Sequence, residues 1–497
     1  MLKDIDIDAP HTAHLRILKN LSTSSIKAQN RKAISSFNDL YISWQNLLNI
    51  SALNKAFYDE IISWFNNAIK EIKLPSQAAG SEKHKDFAIR LIARLIFIWF
   101  LKELKVISDE LLVPKQPNGD DNDLIKPKSN GTSYYKFVLQ NLFFNALNKE
   151  QQDREEFIVD FDFFSEYFKD KNKIKELVLA CPFLNGGLFD ELEEKRDGRS
   201  DYVSRNSSNN AFTVPDEILI GENGLNSLLS RYKFTIAENT PLDEEVAVDP
   251  EMLGRIFENL LAEQSEDTKE AARSNAGAFY TPRPIVSYMC KNVLLRHLNT
   301  DITPQNGKAI VHKLLETTVI DLACGSGAFP IGMLEEMMSV LDIVDPEGEI
   351  WFGEMLGDPD AEFRKHIKPF IQDKQIRYVK KLGLLRNCLF GIDILDYAVE
   401  ITKLRCWLSL IVEQKPDGNP KNNYNLKPLP NLEFKFYKRN SLLRTFQGKN
   451  INELIDKFDK NNLLGQLVEM ENSYFITKSD KYGTKDEIKK KIYGILE

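Results

Sequence analysis

The sequence predicts an α/β protein, in which a mostly helical N-terminal region precedes a doubly wound parallel sheet. Apolar side chains recur at helical spacing through the first half of the chain. Further on, residues 317–330 contain a run of β-formers, a turn of small residues and a proline suited to a first helical turn. Two later segments, 388–392 and 433–438, have the pattern of short strands. A strand, a small-residue turn and a helix in this order are typical of a doubly wound sheet.

The composition is that of an ordinary globular protein. The chain has 497 residues, a length that is enough for several domains. Hydrophobic residues make up 42% of the sequence and charged residues 28%. The formal net charge of −8 argues against wholesale coating of nucleic acid, so any DNA contact must come from a local basic face. Five dispersed cysteines without a C-x-x-C pair predict reduced thiols and a cytoplasmic protein. The scattered histidines predict no metal site.

Neither a leader nor a membrane span is expected. The first residues, MLKDIDID, lack the apolar core of a signal peptide. The most apolar window, 87–107, is interrupted by Arg90, Arg94, Lys102 and Glu103. We therefore predict a buried core helix in this window and not a transmembrane helix.

The chain is expected to divide into three regions. Residues 1–80 form an N-terminal helical segment, and residues 81–265 form a helical domain. Residues 270–497 form the domain with the predicted sheet, which a polar, charged stretch joins to the helical domain. An aromatic cluster at 134–144 is expected in the core of the helical domain and not in a base-stacking platform.

The turn after the first predicted strand consists of small residues. Ala323, Cys324, Gly325 and Gly327 would let a ligand lie directly against the backbone. This composition predicts a site for a nucleotide-like cofactor, and a tight turn without any ligand is the alternative.

Two further residues favour a cofactor without phosphates. The dinucleotide fingerprint G-x-G-x-x-G would need a glycine where Pro330 stands, which counts against a nicotinamide. Asp321 would repel a pyrophosphate, whereas its carboxylate can attract a cation. S-adenosylmethionine carries a sulfonium and an ammonium group and no phosphate, so it fits this turn better.

Four stretches resemble, in order, the conserved motifs of adenine-specific DNA methyltransferases. Residues 277–286 resemble motif X, 319–330 motif I, 390–394 motif II and 438–443 motif III. The order X, I, II, III is that of the gamma class. Upstream, 181–189 and 248–261 resemble the helical domain of type IIG fused restriction–modification enzymes. The resemblance implies a Rossmann-like S-adenosylmethionine-dependent methyltransferase domain that modifies N6 of adenine in double-stranded DNA.

The resemblance also implies a set of cofactor-binding residues. Thr281 lies in motif X, which in the family meets the methionine carboxylate. Asp393 matches the ribose ligand, although it follows the glycine turn by far more than the usual 20 or so residues. Asn440 stands near the family's adenine position, and a plain polar turn residue is its alternative. The implied set is Tyr280, Thr281, Asp321, Ala323, Cys324, Gly325, Gly327, Phe329, Asp393, Ile394, Asn440 and Ser441.

Local patterns predict how these motifs are framed. Thr281 and Pro282 are expected to be the N-cap and first residue of a helix. The surplus residues 345–387 predict a helical insertion before the second strand, and Asp396 is expected to cap the helix that follows it. The apolar stripe of the first helix is expected to be Ile285, Val286, Met289 and Val293.

One motif of the family has no counterpart. Motif IV, Asn-Pro-Pro followed by an aromatic residue, holds the adenine amino group and stacks on the flipped base. No Asn-Pro-Pro occurs in this sequence, so no catalytic residue is assigned. We expect an incomplete methyltransferase, or part of a type IIG fusion, without its target-recognition domain. It would come from an interrupted gene or from a split system that a second polypeptide completes. The alternatives are a non-catalytic, cofactor-binding scaffold of a restriction–modification or phage-defence complex and, less favoured, a nicotinamide oxidoreductase.

Overall fold

The computed structural model describes fourteen stretches of the chain, which fall into two compact units. The first unit comprises the described residues up to Leu184, those between Phe189 and Ile256, and Pro416–Leu426, and the second comprises the remainder. The described stretches are 50–74, 81–112, 134–154, 170–184, 187–190, 212–234, 247–248, 281–358, 360–443, 445–446, 449–450, 463–475, 478–479 and 483–496.

The first unit is mostly helical, as predicted. Its elements are α1 (Ile50–Glu71), α2 (Ser81–Glu103), α3 (Lys171–Leu179), α4 (Asp216–Ile220), α5 (Leu225–Leu229), a π-helical stretch (Tyr134–Leu139 and Leu142–Ala146) and the short parallel strands β1 (Lys233–Phe234) and β2 (Ala247–Val248). Phe57, Ile61 and Phe65 of α1 are buried and recur at helical spacing, so they form the face that this helix turns to the core.

Helix α2 forms the centre of this unit. Its residues from Phe87 to Leu101 are buried apart from Arg90, which confirms a core helix. Arg94 is buried too, and its guanidinium donates to the Asp190 carbonyl (3.1 Å) and lies 5.1 Å from the centroid of the Phe144 ring. These partners explain how a charge is accommodated in the core. Among the described helices, none is both long and apolar enough to span a bilayer.

The aromatic cluster of the first unit is part of its core, as expected. Tyr134, Tyr135, Phe137, Phe143 and Phe144 are all at most 1% exposed. The Tyr134 hydroxyl donates to the Leu111 carbonyl (2.8 Å) and accepts from Nδ2 of Asn226 (2.6 Å). Because the ring is enclosed and its hydroxyl is satisfied, this cluster has a structural role.

The second unit is an α/β assembly around a small parallel sheet. Three parallel strands lie in the order β3 (Val319–Asp321), β4 (Leu389–Asp393) and β5 (Phe436–Lys438). Asp321 is paired to Gly391, and Asp393 is paired to Lys438. The carboxyl ends of all three strands therefore meet at one edge. Its elements are α6 (Arg283–Leu298), α7 (Gly307–Leu315), β3 (Val319–Asp321), α8 (Ala328–Val344), α9 (Glu349–Leu356), α10 (Ala361–Gln372), α11 (Ile376–Asn387), β4 (Leu389–Asp393), α12 (Asp396–Ile411), β5 (Phe436–Lys438), the hairpins β6 (Thr445–Phe446) with β7 (Lys449–Asn450) and β8 (Lys478–Ser479) with β9 (Gly483–Thr484), α13 (Leu463–Phe475) and α14 (Lys485–Leu496).

The helices surround this sheet in chain order. Helix α8 packs against β3 and β4, whereas α12 packs against β4 and β5. Helices α9, α10 and α11 form the predicted helical insertion between α8 and β4. The buried Arg386 at the end of α11 connects this helix to the segment between α9 and α10. Its guanidinium forms salt bridges with Asp358 (2.6 Å) and Asp360 (3.0 Å).

The third strand is shorter than the alternation of 433–438 predicted. Only Phe436–Lys438 is a strand, and the three residues before it form a turn. Phe434 in this turn is buried with Tyr474 of α13 and Ile488 of α14. The prediction of a strand over 433–438 was wrong at its first three residues. The alternating pattern there arises because Phe434 is buried in this cluster with α13 and α14, not because the strand is longer.

Buried Lys435 is expected to make the stability of the second unit depend on pH. It donates to the Arg386 carbonyl, and burial lowers its pKa to about 8. An unfolded lysine titrates near pH 10.4, so between about pH 8 and 10.4 the unfolded chain binds more protons and stability rises with pH. Relative to Lys435→Met, the wild type is expected to gain roughly 1–3 kcal/mol between pH 7 and pH 10.

Chemical denaturation across this pH range measures the effect. The matched control is Lys438→Met, which removes an exposed lysine three residues further on, at the end of the strand Phe436–Lys438. A wild-type curve parallel to that of Lys435→Met at every pH would show that Lys435 does not titrate in this window.

Candidate functional site

The small-residue turn links β3 to α8 and has two glycines with positive φ. Gly325 has φ +54° and Gly327 has φ +83°, a backbone region that favours glycine. A Cβ atom at Gly327 would lie 2.8 Å from the side chain of Thr402, so this glycine permits close packing against α12. A Cβ atom at Gly325 would meet nothing within 4 Å. One glycine is therefore needed for packing, whereas the other leaves an open side along the turn.

Asp393, at the end of β4, holds this turn in place. Its Oδ2 atom accepts the Gly325 N–H (2.8 Å), and its Oδ1 atom accepts the Leu395 N–H (2.9 Å). The side chain thus joins the glycine turn to Leu395 at the beginning of α12. Asp396 was predicted to cap this helix, which has no side-chain cap. That prediction was wrong, because Asp396 is the first residue of the helix and Leu395 occupies the N-cap position.

Asp321 contributes a carboxylate with one unused oxygen. Its Oδ1 atom accepts the Ala323 N–H (3.1 Å), whereas its Oδ2 atom is buried and has no hydrogen-bond partner among the described residues. Burial raises the pKa of this carboxyl, and the nearby Asp393 raises it further. Two close carboxylates with an unused oxygen form a spot that favours a positively charged group.

The end of β5 completes this edge of the sheet. The Arg439 N–H donates to the Asp393 carbonyl (2.9 Å), which places the following residues beside the second strand. Asn440 is exposed and its Oδ1 atom accepts the Leu442 N–H (3.0 Å), as expected for a polar turn residue. Ser441 is exposed beside it. Both residues lie at the same edge as Asp321 and Asp393.

The remaining predicted residues differ in what they present. Ala323 and Ile394 are exposed and Phe329 is half-buried. The Cys324 thiol is buried, its sulfur lies 3.1 Å from where a Cβ of Gly391 would be, and burial raises its pKa to about 12. Cys324 therefore offers the site only its backbone. The prediction for Tyr280 lies outside the described residues.

The helix of motif X begins later than predicted. Pro282 occupies the N-cap position with extended backbone (φ −58°, ψ 141°), and α6 starts at Arg283. Thr281 therefore precedes the helix and does not cap it. Since proline has no side-chain acceptor, this helix start has no side-chain cap.

The predicted apolar stripe of α6 was largely wrong as a buried face. Of its four residues only Val286 is buried, against Gly332 of α8, whereas the other three are between 46% and 60% exposed. The buried stripe consists of Val286, Cys290, Leu294 and Leu298. Helix α6 thus rests on α8 along one narrow line and exposes a second apolar line.

Two buried polar residues of α12 were missed by the sequence analysis. The Thr402 hydroxyl donates to the Gly325 carbonyl (3.0 Å), and Nη1 of Arg405 donates to the Ser326 carbonyl (2.9 Å). The only sequence signal was that two polar residues three positions apart lie on one face of a helix otherwise rich in apolar residues. That spacing does not reveal the turn they contact.

All five cysteines of the chain are unpaired and buried, which agrees with the prediction of reduced thiols. Within the described stretches, no group of three or more histidine, cysteine, aspartate or glutamate side chains is arranged to hold a metal ion.

Comparison with known proteins defines the class to which this site is related. Residues 248–350, which include β3, the glycine turn and the whole of α8, match the family model of the N-6 DNA methylases. The resemblance to adenine-specific DNA methyltransferases is thereby confirmed for the region that carries motif I.

A curated relative extends the match along the chain. Over 404 residues the chain is 30% identical to a candidate type II restriction enzyme and methyltransferase from Methanocaldococcus jannaschii, in an alignment that covers 75% of this chain. The chain spans 28% of the length of that relative. No solved structure matches the chain. The chain is therefore related to the adenine N6 methyltransferases of restriction–modification systems.

Proposed function

We propose that this chain supplies the cofactor-binding part of a site-specific, adenine-N6 DNA methyltransferase of a restriction–modification system. The observation that carries the proposal is the edge of the sheet where Asp321, Gly325 and Asp393 meet, within the region that matches the methylase family. The domain division proposed with it is a helical domain at 81–265 and a Rossmann-like cofactor domain at 270–497.

The geometry of the site fits S-adenosylmethionine. The unused Oδ2 atom of Asp321 faces no cation among the described residues, so it can accept from an ammonium group. The open side of Gly325 lets a ligand lie against the backbone, and the exposed Ile394 offers an apolar surface for an adenine ring. Asp393 already binds two backbone N–H groups, but each carboxylate oxygen keeps a second lone pair for a ribose hydroxyl.

The chemistry of transfer divides between this site and residues outside it. When bound, the cofactor would supply a methyl group on a positively charged sulfur. Asp321 and Asp393 hold and orient the cofactor and stabilise positive charge at the edge of the sheet. The adenine amino group is a weak nucleophile and needs acceptors for its N–H bonds, and the Asn-Pro-Pro sequence that provides them in the family does not occur in this chain.

We propose that a strand of a second polypeptide, carrying Asn-Pro-Pro and an aromatic residue, completes the sheet beside β3. Among the described strands β3 pairs with β4 alone, so its other edge offers free N–H and C=O groups. Ile320 of β3 is 55% exposed, although a parallel sheet normally buries both faces.

Helix α6, whose C-terminal end lies beside the start of β3, adds an apolar surface. His297 of α6 contacts Thr317, two residues before β3, at 3.0 Å. The helix exposes a continuous line of apolar side chains at helical spacing. We call this line and the unpaired edge of β3 the open face. It comprises Ile285, Tyr288, Met289 and Val293 of α6 together with Ile320.

Two observations indicate what binds the open face: its exposed strand edge and helix surface, and the greater length of the curated relative. An exposed strand edge requires another strand, and an exposed apolar helix face requires an apolar surface behind that strand. The curated relative has far more sequence than the region this chain matches. A strand-bearing segment of such additional sequence, supplied by a second polypeptide, would satisfy both requirements and place motif IV beside the glycine turn.

Calorimetric titration of the chain with S-adenosylmethionine, S-adenosylhomocysteine and reduced nicotinamide dinucleotide tests the cofactor proposal. We expect binding of the first two ligands and none of the third. Preferential binding of the dinucleotide, or no binding of either S-adenosyl ligand, would contradict the proposal.

Alanine at the two glycines of the turn is expected to have different effects. Gly325→Ala places a methyl group on the open side and should weaken S-adenosylhomocysteine binding at least about tenfold, with a loss of roughly 1–2 kcal/mol in stability from the positive φ. Gly327→Ala adds a contact of 2.8 Å with Thr402 and should lose more stability than Gly325→Ala.

Calorimetry and thermal denaturation separate these effects. The control is Gly353→Ala on α9, where a Cβ meets nothing within 4 Å and the backbone is helical, so stability should be kept or slightly raised. Unchanged ligand affinity in a folded Gly325→Ala variant would show that the ligand does not use the open side of the turn.

A further inference from the structure

The glycine turn is held in place by hydrogen bonds from the end of β4 and from α12, which lie next to it in the fold. The Cys324 N–H donates to the Ile392 carbonyl (2.9 Å), and the Gly325 N–H donates to Asp393 (2.8 Å). These bonds hold the N–H groups of the turn. The carbonyl groups of the next two peptides are held by side chains of α12 instead.

Thr402 and Arg405 make these two carbonyl contacts. They lie three residues apart on α12 and are 0% and 5% exposed. Thr402 donates to the Gly325 carbonyl (3.0 Å), and Arg405 donates to the Ser326 carbonyl (2.9 Å). Two consecutive peptide planes of the turn therefore have their carbonyl oxygens directed at α12.

This orientation decides what the turn presents on its other side. In a planar trans peptide the C=O and the following N–H point in opposite directions. Since the Gly325 carbonyl is directed at Thr402, the Ser326 N–H is directed away from α12, and it donates to no group among the described residues. The contact thus leaves a backbone donor for a ligand.

The buried guanidinium of Arg405 has few hydrogen-bond partners and is expected to lower the stability of the fold. No carboxylate pairs with its guanidinium in the described part of the chain, and its Nε atom is buried without an acceptor. A buried guanidinium with so few partners opposes folding, because its lost hydration is poorly replaced. A residue kept at such a cost is better explained by control of the turn than by stability.

We propose that Thr402 and Arg405 are positioning residues, which set the two peptide planes of the turn for cofactor binding. The inference rests on the proposed function for the identity of the ligand. It assigns no contact between either residue and the cofactor, because both act through the backbone of Gly325 and Ser326.

Paired substitutions in the full chain separate the hydroxyl from the shape of Thr402. Thr402→Val keeps the branched side chain and removes the donor, whereas Thr402→Ser keeps the donor. Thr402→Val is expected to weaken S-adenosylhomocysteine binding about 3- to 10-fold, as for loss of one neutral hydrogen bond, and Thr402→Ser to restore it to within about twofold. Arg405→Met should weaken S-adenosylhomocysteine binding more than about tenfold. Arg405→Lys, which keeps a charged donor, should restore part of this affinity.

Amide hydrogen exchange without ligand provides a second readout. The hydrogen-bonded amides of Gly325 and Gly327 should exchange faster in Thr402→Val than in the wild type and in Thr402→Ser. The matched control is Ser409→Ala, which removes another α12 hydroxyl that donates to a backbone carbonyl, that of Cys406. It should change neither ligand affinity nor exchange in the turn.

The outcomes distinguish this inference from the proposed function. Equal affinity and equal exchange of the turn in Thr402→Val and Ser409→Ala would overturn the inference, as would equal losses in Thr402→Val and Thr402→Ser. A wild type that binds no S-adenosyl ligand would contradict the proposed function, and the exchange of the turn amides would still decide whether Thr402 positions them.

Discussion

Asp393→Ala is expected to weaken S-adenosylmethionine binding roughly 10- to 100-fold and to lower the free energy of unfolding by about 2–4 kcal/mol. The first effect follows from the loss of a charged acceptor at the proposed ribose position. The second follows from the structure, because both carboxylate oxygens accept backbone N–H groups, from Gly325 and from Leu395. The substitution therefore releases the glycine turn and the start of α12 together.

The variant Asp393→Asn keeps the size of the side chain and removes its charge, so it shows which of the two properties cofactor binding needs. An amide keeps one acceptor oxygen, and its NH₂ group would face one of the two backbone donors. We expect it to bind the cofactor almost as weakly as Asp393→Ala. Titration calorimetry and urea denaturation measure the two effects, with the exposed Asp373→Ala as the control. Full affinity in either Asp393 variant would contradict the assignment of this carboxylate to the site.

Charged residues on the open face are expected to abolish assembly with the completing polypeptide while leaving this chain folded. The double variant Ile285→Asp with Val293→Asp should lose at least about 100-fold in affinity for that polypeptide, since it would bury two unpaired carboxylates. Both positions are exposed in this chain, at 49% and 60%, so its own stability should change by no more than about 0.5 kcal/mol.

The control for this prediction is charge reversal elsewhere on the same helix. Lys291→Asp alters an exposed position at the margin of the apolar line and should leave assembly within about threefold. Co-purification and light scattering with the polypeptide that carries Asn-Pro-Pro report the complex. Normal assembly of the double variant would show that the partner does not cover α6.

The sequence predicted the elements whose signals are local. β3, the glycine turn and α8 follow from a β-forming run, small residues and helical periodicity, and the insertion at 345–387 follows from the spacing of the motifs. The start of α6 was misplaced by one residue, because a Thr-Pro pair resembles a capped helix start, whereas Pro282 here is still extended.

What the sequence did not predict depends on contacts that are distant along the chain. Helical periodicity identifies apolar positions of α6, but only packing against α8 decides that Val286 is buried and Val293 is not. Likewise Thr402 contacts a carbonyl 77 residues away, and that contact leaves no pattern in the sequence. Asp321 and Asp393 each end a strand and lie at one edge of the sheet, as the sequence pattern predicted, and their role in binding a cofactor stays a prediction.

Methyl transfer from labelled S-adenosylmethionine to mixed-sequence double-stranded DNA decides whether this chain is the cofactor-binding part of an adenine methyltransferase. The measurement is made with this chain alone, with a partner polypeptide carrying Asn-Pro-Pro-aromatic alone, and with both. We expect transfer to adenine N6 in the mixture only, and its loss with Asp393→Ala. Transfer by this chain alone, or none in a mixture that assembles and binds the cofactor, would contradict this expectation.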